Sequence, residues 1–246
     1  MSTIADNISQ VSARIAAAAV TAQRAPGAIG LLAVSKTKPA AAVREAFAAG
    51  ICDFGENYLQ EALGKQDELK DIPLIWHFIG PIQSNKTRAI AEHFAWVHSV
   101  DRLKIAQRLS EQRPAELPAL NICIQVNVSG EASKSGCAPA DLPALAQAIG
   151  ELPNLRLRGL MAIPEPSDDR AAQDAAFARV RTLQEDLNLP LDTLSMGMSH
   201  DLEAAIAQGA TWVRIGTALF GARDYGQDTT RANPDAGLPP FTKDPS

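Results

Sequence analysis

The stretch IGLLAVSKTKPAAAVREAFAAGICDFGENYLQEALGKQDEL, residues 29–69, decides the fold class of this chain. It contains two short apolar runs, residues 29–35 and 51–55, and each run precedes a longer segment whose apolar residues have helical spacing. Gly50 closes the first helical segment, as glycine commonly does at a helix C-terminus. Strands that alternate with helices predict a parallel sheet built from β-α units.

The same alternation continues along the chain to residue 222. Eight strands are predicted, at residues 29–35, 51–55, 74–79, 95–100, 121–128, 155–163, 193–196 and 211–215. The predicted helices lie at residues 40–49, 58–69, 84–93, 101–112, 141–152, 168–187, 200–208 and 219–222. Eight such units favour a closed (β/α)8 TIM-type barrel over an open sheet.

One additional helix is predicted before the barrel. Its apolar stripe consists of Ile4, Ile8, Val11 and Ile15, and Pro26 ends the segment. We expect one barrel domain over residues 1–225, because no low-complexity segment interrupts the pattern. Residues 226–246 are polar and contain four prolines, so we expect a mobile C-terminal tail.

Composition narrows the class of protein. The net charge of −5 argues against a nucleic acid as partner, since phosphate-tracking proteins need a basic surface. The three cysteines, Cys52, Cys123 and Cys137, suit neither a disulfide framework nor a metal site and are expected to be inert. The chain shows no secretory signal and no apolar run long enough for a membrane span, which predicts a cytoplasmic protein without a membrane partner.

The active face of such a barrel lies at the C-terminal ends of its strands. There, Lys36 follows an apolar strand, and Lys38 is a second cation two residues further on. A lysine held near apolar walls and another cation becomes a nucleophile for carbonyl groups. The alternative is a strand-end lysine whose ammonium reaches solvent.

Ser199, Gly216 and Thr217 follow the last two predicted strands, where this architecture commonly binds phosphate. Glycine lets backbone amides approach an anion, and a helix N-terminus favours negative charge. The alternatives are a simple helix cap at Ser199 and a turn at Gly216.

Two polar residues near other strand ends have a structural explanation. Asn57 with Gln60 resembles a capping box for the next helix. His77 stands among Trp76, Phe78 and Ile79, which is typical of a packed core residue. It lacks companions at metal-ligand spacing, and no Gly-rich nucleotide loop supports ATP or NAD.

Six segments together resemble the pyridoxal phosphate homeostasis protein family: AVSKTKP (33–39), FGENYLQE (54–61), WHFIGPIQSNKTR (76–88), RLRGLMAI (156–163), SMGMSHDLEAAI (195–206) and VRIGTALFGARDY (213–225). The resemblance implies a single barrel like the N-terminal barrel of alanine racemase, called fold type III among proteins that bind pyridoxal 5′-phosphate (PLP). It also implies an intracellular role in the balance of PLP, vitamin B6 and amino acids, as a PLP carrier or regulator without established turnover.

The resemblance assigns expected roles to nine residues. Lys36 would form the Schiff base with PLP, Ser199, Gly216 and Thr217 would hold its phosphate, and Arg214 would face its pyridine nitrogen. The residues expected around the ring or nearby are Asn57, His77, Met161 and Met198. His200 departs from the family's usual acidic residue, and Cys137 lies in a variable segment; both concern details of affinity rather than the cofactor.

Two enzymes are the competing hypotheses. An amino-acid racemase of this fold needs a second acid/base opposite the lysine, which an extra domain of a partner subunit supplies in that family; this chain has only Tyr58 and Tyr225 as tyrosines. A Schiff-base aldolase would want a lysine at the end of another strand, commonly the sixth, and RLRGLMAIP has none. We therefore expect a monomeric carrier without catalytic residues or a metal, with PLP-dependent apoenzymes as candidate transient recipients.

Overall fold

A computed structural model of the chain describes residues 2–130 and 135–222. The predicted tail and Tyr225 lie outside these residues. Helix α1 (Ile4–Thr21) begins at a capping box in which Thr3 and Asp6 each accept the other's backbone amide. Its buried face consists of Ile8, Val11, Ile15, Ala18 and Ala19. The helical stripe predicted for this segment is therefore confirmed, apart from Ile4, which is only partly buried.

Eight parallel strands form a closed barrel in chain order, as predicted. Strand β1 closes the barrel against β8 with the register Gly30 to Trp212 through Ala33 to Ile215. The strands are β1 (Gly30–Val34), β2 (Asp53–Glu56), β3 (Ile75–Phe78), β4 (Trp96–Val100), β5 (Leu120–Gln125), β6 (Leu155–Met161), β7 (Thr193–Ser195) and β8 (Trp212–Ile215).

Helices follow the strands around the outside of the barrel. They are α2 (Ala40–Ala48), α3 (Leu59–Glu68), α4 (Thr87–His93), α5 (Leu103–Gln112), α6 (Leu142–Gly150), α7 (Arg170–Asp186), α8 (Leu202–Ala207) and α9 (Thr217–Phe220). Two of the boundaries that differ from the prediction have a clear local reason. A 3-10 turn, Ser84–Lys86, precedes α4. Gly221, with φ of +76°, ends α9 two residues earlier than predicted.

Helix α1 packs against α8 and α9, which follow the last two strands. Arg14 forms hydrogen bonds to both carboxylate oxygens of Glu203 and donates to the carbonyl oxygen of Ser199 at 3.0 Å. Asn7 donates to the carbonyl oxygen of Leu219 at 2.9 Å. The extra helix thereby supports the two loops in which Ser199 and Gly216 lie.

The interior contains two thiols with raised pKa values. Burial raises the pKa of Cys123 to about 12 and that of Cys137 to about 11, so both thiols stay protonated and unreactive at neutral pH. Cys52 is exposed, in contrast to the other two. Within residues 2–130 and 135–222, no helix has the length and apolar character that a membrane crossing requires.

Candidate functional site

Lys36 lies in a tight turn directly after β1, at the C-terminal mouth of the barrel. The turn is closed by a hydrogen bond from the amide of Lys38 to the carbonyl oxygen of Ser35 at 3.0 Å, and Lys36 is half-buried. Thr37 has φ of +65°, a left-handed conformation that β-branched residues rarely adopt. Such strain persists only where the surroundings hold it and is concentrated at functional sites.

A buried ion cluster holds both neighbours of Lys36. The Lys65 ammonium donates to the carbonyl oxygen of Ser35 at 2.6 Å, and to Oε1 of Glu56 and Oε1 of Glu61 at 2.7 Å each. Glu61 Oε1 also accepts the backbone amide of Thr37 at 2.6 Å. All three ammonium protons therefore have an acceptor, and the cluster fixes the residues on either side of Lys36.

Glu56 is the least solvated member of this cluster. Its side chain is completely buried, and burial raises its pKa although Lys65 and the Ser35 hydroxyl lower it. Ser35 Oγ donates to Glu56 Oε1 at 2.6 Å, while Oε2 has no hydrogen-bond partner among the described residues. The sequence analysis missed this cluster, because a lysine on a helix is ordinarily solvent-exposed.

Asn57, directly after β2, does not cap the following helix. Tyr58 is the N-cap of α3 and makes no side-chain capping bond, so the capping-box alternative is wrong. Asn57 Oδ1 is buried and has no hydrogen-bond partner within residues 2–130 and 135–222. Gly80, after β3, lies so close that a Cβ there would be 2.2 Å from the carbonyl oxygen of Asn57. The site thus holds a buried acceptor that none of the described residues uses.

Ser199, Gly216 and Thr217 follow β7 and β8 at this same mouth. Ser199 lies in a turn and is not the N-cap of α8; that position belongs to Asp201, so the simple-cap alternative is wrong. Gly216 is the N-cap of α9, and a Cβ there would lie 3.2 Å from the carbonyl oxygen of Val34 in β1. This close approach brings the loop after β8 next to the strand that leads to Lys36.

Arg214, on β8, is the buried cation of the site. Its guanidinium donates to the carbonyl oxygen of Ala162 and to Ser195 Oγ, both at 2.9 Å, and to the carbonyl oxygen of Ser195. Burial lowers its pKa to about 10, so it remains charged at neutral pH. Because a guanidinium only donates, any ligand atom that faces it must accept a hydrogen bond.

The other predicted residues lie at different depths. Met161, the last residue of β6, is buried with Trp96 and Cys123 inside the barrel. Met198 is half-buried in the loop after β7, and its amide donates to Asp201 Oδ1.

His77 is completely buried within β3, and its two ring nitrogens lie 3.0 Å from Asp53 Oδ1 and from His98 Nε2. His77 is therefore accompanied by a second histidine, which the sequence analysis did not single out.

Taken together, the mouth combines a lysine in a strained turn, a buried cation and loops suited to an anion. These features would suit a small anionic carbonyl compound, since the amine can attack the carbonyl carbon. In the part of the chain that the structure describes, no group of three or more His, Cys, Asp or Glu residues could hold a metal ion.

Comparisons with known proteins identify relatives of this chain. The alanine racemase N-terminal domain family matches residues 4–224. A relative from Pseudomonas aeruginosa, named pyridoxal phosphate homeostasis protein, is 81% identical over 226 residues, which cover 92% of this chain and 98% of the relative. A relative of the same name from Escherichia coli K12 is 55% identical over 235 residues, which cover 92% of this chain and 99% of the relative.

A solved structure has the same fold. PipY from Synechococcus elongatus PCC7942, with PLP bound, superimposes with a TM-score of 0.78 at 42% sequence identity. The match covers 89% of this chain and all of PipY.

Proposed function

Since this chain belongs to the pyridoxal phosphate homeostasis protein family, whose barrel is the alanine racemase N-terminal domain, we propose that it binds PLP as a Schiff base on Lys36. It then takes part in the intracellular balance of PLP, vitamin B6 and amino acids. PLP-dependent apoenzymes are the proposed transient recipients of the cofactor, and the protein acts as a monomer with residues 1–225 as its cofactor-binding domain.

The fixed turn around Lys36 is the observation that carries this proposal. The Lys65 cluster binds Ser35 and Thr37, while Thr37 stays in a left-handed conformation. A protein would gain nothing from this strain at an ordinary solvent-exposed lysine. Both neighbours of Lys36 are held in place, and a nucleophilic amine at the mouth of the barrel benefits from such fixed geometry.

The phosphate is bound by Ser199, Gly216 and Thr217 in this proposal. Their loops follow β7 and β8, and the close approach of Gly216 to Val34 brings the loop after β8 next to the strand that leads to Lys36. The serine and threonine hydroxyls can donate to phosphate oxygens, and backbone amides at the start of α9 add further donors. Arg14 supports this loop from outside by binding the carbonyl oxygen of Ser199.

The pyridine ring lies beside Arg214, with Asn57, His77, Met161 and Met198 around it or nearby. The buried acceptor Asn57 Oδ1 supports the fit of a polar ligand, because a bound donor would satisfy it. PLP supplies an electron sink to its enzymes, and the sink is strongest when the pyridine nitrogen is protonated. The charged Arg214 donates to that nitrogen and so disfavours its protonation.

An amino-acid racemase is the alternative, and the match to the alanine racemase N-terminal domain favours it. A racemase needs a second acid or base on the opposite face of the substrate. Tyr58, one of the two tyrosines of the chain, is exposed at the start of α3. The carrier without turnover is therefore the function that the site supports best.

Incubating the PLP-loaded protein with L-alanine in D2O separates the two functions. The carrier is expected to bind PLP and to exchange the α-proton of alanine far more slowly than once per second, a modest rate for an enzyme. Deuterium incorporation or D-alanine formation at about one turnover per second or faster would overturn the carrier in favour of the racemase. Pyridoxal, which lacks the phosphate, serves as the control ligand and should bind more weakly.

A further inference from the structure

A chain of hydrogen bonds crosses the interior of the barrel from β2 to β7. Asp53 Oδ1 lies 3.0 Å from His77 Nε2, and His77 Nδ1 lies 3.0 Å from His98 Nε2. His98 Nδ1 lies 2.8 Å from Ser195 Oγ, which accepts from Arg214 at 2.9 Å. Asp53 is the first residue of β2 and Ser195 the last of β7, so the chain connects strands that are not neighbours in the barrel.

The two ends of this chain dictate its direction. Arg214 can only donate, so Ser195 Oγ accepts from it and must give its own proton to His98 Nδ1. His98 then carries its proton on Nε2 and donates to His77 Nδ1, and His77 donates from Nε2 to the acceptor Asp53. Both imidazoles are thereby fixed as the Nε2–H tautomer. The reverse order would require a second proton on His77 or a protonated Asp53.

The surroundings keep this chain of hydrogen bonds, the relay from Asp53 through His77 and His98 to Ser195, rigid, and they keep its two histidines neutral. The side chains of His77, His98 and Ser195 have no exposed surface. Burial lowers the pKa of both histidines, and the neighbouring His77 and Arg214 lower the pKa of His98 further. Trp96 stacks on the His77 ring at a centroid distance of 5.5 Å, and Trp212 meets it edge-on at 5.3 Å.

We propose that His98 and His77 are positioning residues that act through Ser195 on Arg214 and so set the direction of its contact with the ligand's ring nitrogen. This inference rests on the proposed function, and it adds a connection between the cofactor site and Asp53 on β2. Ser195 Oγ accepts one guanidinium N–H from Arg214 and gives its own proton to His98, so these two bonds fix the orientation of the hydroxyl. The carbonyl oxygens of Ser195 and Ala162 take further N–H groups, which leaves the orientation of the guanidinium fixed.

The chain contains four histidines, so nitrogen NMR of the ¹⁵N-histidine-labelled protein reads the relay directly. His93 and His200 are exposed and serve as internal references. Without PLP, we expect His77 and His98 to show one tautomer each at neutral pH, protonated on Nε2. A proton on Nδ1 of His98, or fast exchange between its tautomers, would overturn the inference whether or not the protein binds PLP.

Variants test the effect on the ligand. His98→Leu removes the acceptor of the Ser195 proton, and we expect about tenfold weaker PLP binding together with a shifted absorption maximum of the bound cofactor. His98→Asn returns an acceptor near Ser195 and should restore most of both properties, while His93→Asn is the surface control. If wild type binds PLP and His98→Leu matches it in affinity and spectrum, the inference is wrong. If wild type binds no PLP, the proposed function fails, and the proposal for His98 and His77 fails with it.

Discussion

The Lys65 ammonium lies 2.6 Å from the carbonyl oxygen of Ser35, the residue directly before the proposed cofactor lysine. Through Glu61, the same ammonium is connected to the amide of Thr37, the residue directly after it. A helix on the outside of the barrel therefore controls the turn at its mouth. The geometry of Lys36 depends on a buried ion pair that itself need not touch the ligand.

Breaking this buried pair should be costly. Lys65→Met leaves the Glu56 carboxylate buried without its cation, and we expect a loss of about 3–5 kcal/mol in the free energy of unfolding. The double variant Glu56→Gln, Lys65→Met removes both charges and should recover a large part of this loss. Urea unfolding at pH 7 measures both values.

The exposed pair Arg44 and Asp71 provides the matched control for that experiment. Its carboxylate and guanidinium are 2.7 Å apart, but both side chains are largely solvated, so Arg44→Met should destabilise the fold far less than Lys65→Met does. A Lys65→Met protein that is as stable as Arg44→Met would contradict the structural role of the cluster.

The proposed role of the loops after β7 and β8 in holding the phosphate predicts that a substitution there weakens the binding of PLP but not of pyridoxal. Ser199→Ala removes one hydrogen bond to a charged group, which costs roughly 1.5–3 kcal/mol, or about ten- to a hundredfold in affinity. Calorimetric titration should show this loss for PLP, while pyridoxal binds wild type and variant about equally. Ser12→Ala, on the exposed face of α1, controls for the loss of any serine. Unchanged PLP affinity in Ser199→Ala would remove Ser199 from the site.

The buried histidines predict a stability change with pH. Burial lowers the pKa values of His77 and His98 in the folded state, whereas an unfolded histidine has a pKa of about 6.5. Below that value the unfolded chain binds more protons than the folded one, so stability present above pH 6.5 is lost as the pH falls. Each histidine contributes at most about 1.4 kcal/mol per pH unit.

Urea unfolding between pH 7.5 and 5 measures the slope of the free energy of unfolding against pH. Replacing His98 by Asn should reduce the slope by up to about 1.4 kcal/mol per pH unit, since one titrating group is gone, and His93→Asn is the surface control. A wild-type free energy of unfolding that stays constant between pH 6.5 and 5 would contradict the neutral, buried state of both rings.

The eight strands could be predicted from sequence because each is a short apolar run bounded by turn residues. Their order then placed Lys36, Asn57, Ser199 and Gly216 after strands at one mouth. The capping role considered for Asn57 was wrong, because helix α3 begins one residue later than its local pattern suggests and Tyr58 is its N-cap. Local sequence rules cannot tell which backbone groups a distant loop will cover.

The residues that sequence reasoning missed act across the fold. Lys65 lies on helix α3 at the outside of the barrel. Its ammonium reaches the carbonyl oxygen of Ser35 only when the barrel has closed. His98, in WVHSV, carried a detectable signal, since a histidine inside a fully buried strand needs a polar partner. That partner is 97 residues away at Ser195, so the relay itself could not be read from spacing.

Covalent trapping tests the central claim most directly. Borohydride reduction of the PLP-loaded protein, followed by peptide mass mapping, should put the pyridoxyl group on Lys36 in wild type. Lys38→Ala, whose native ammonium donates to the carbonyl oxygen of Ala222 at 2.8 Å, is the neighbouring control and should still be trapped at Lys36. The Lys36→Ala variant is predicted to fold and to yield no trapped cofactor. Trapping of PLP on another lysine of that variant in the same yield as wild type would contradict the account.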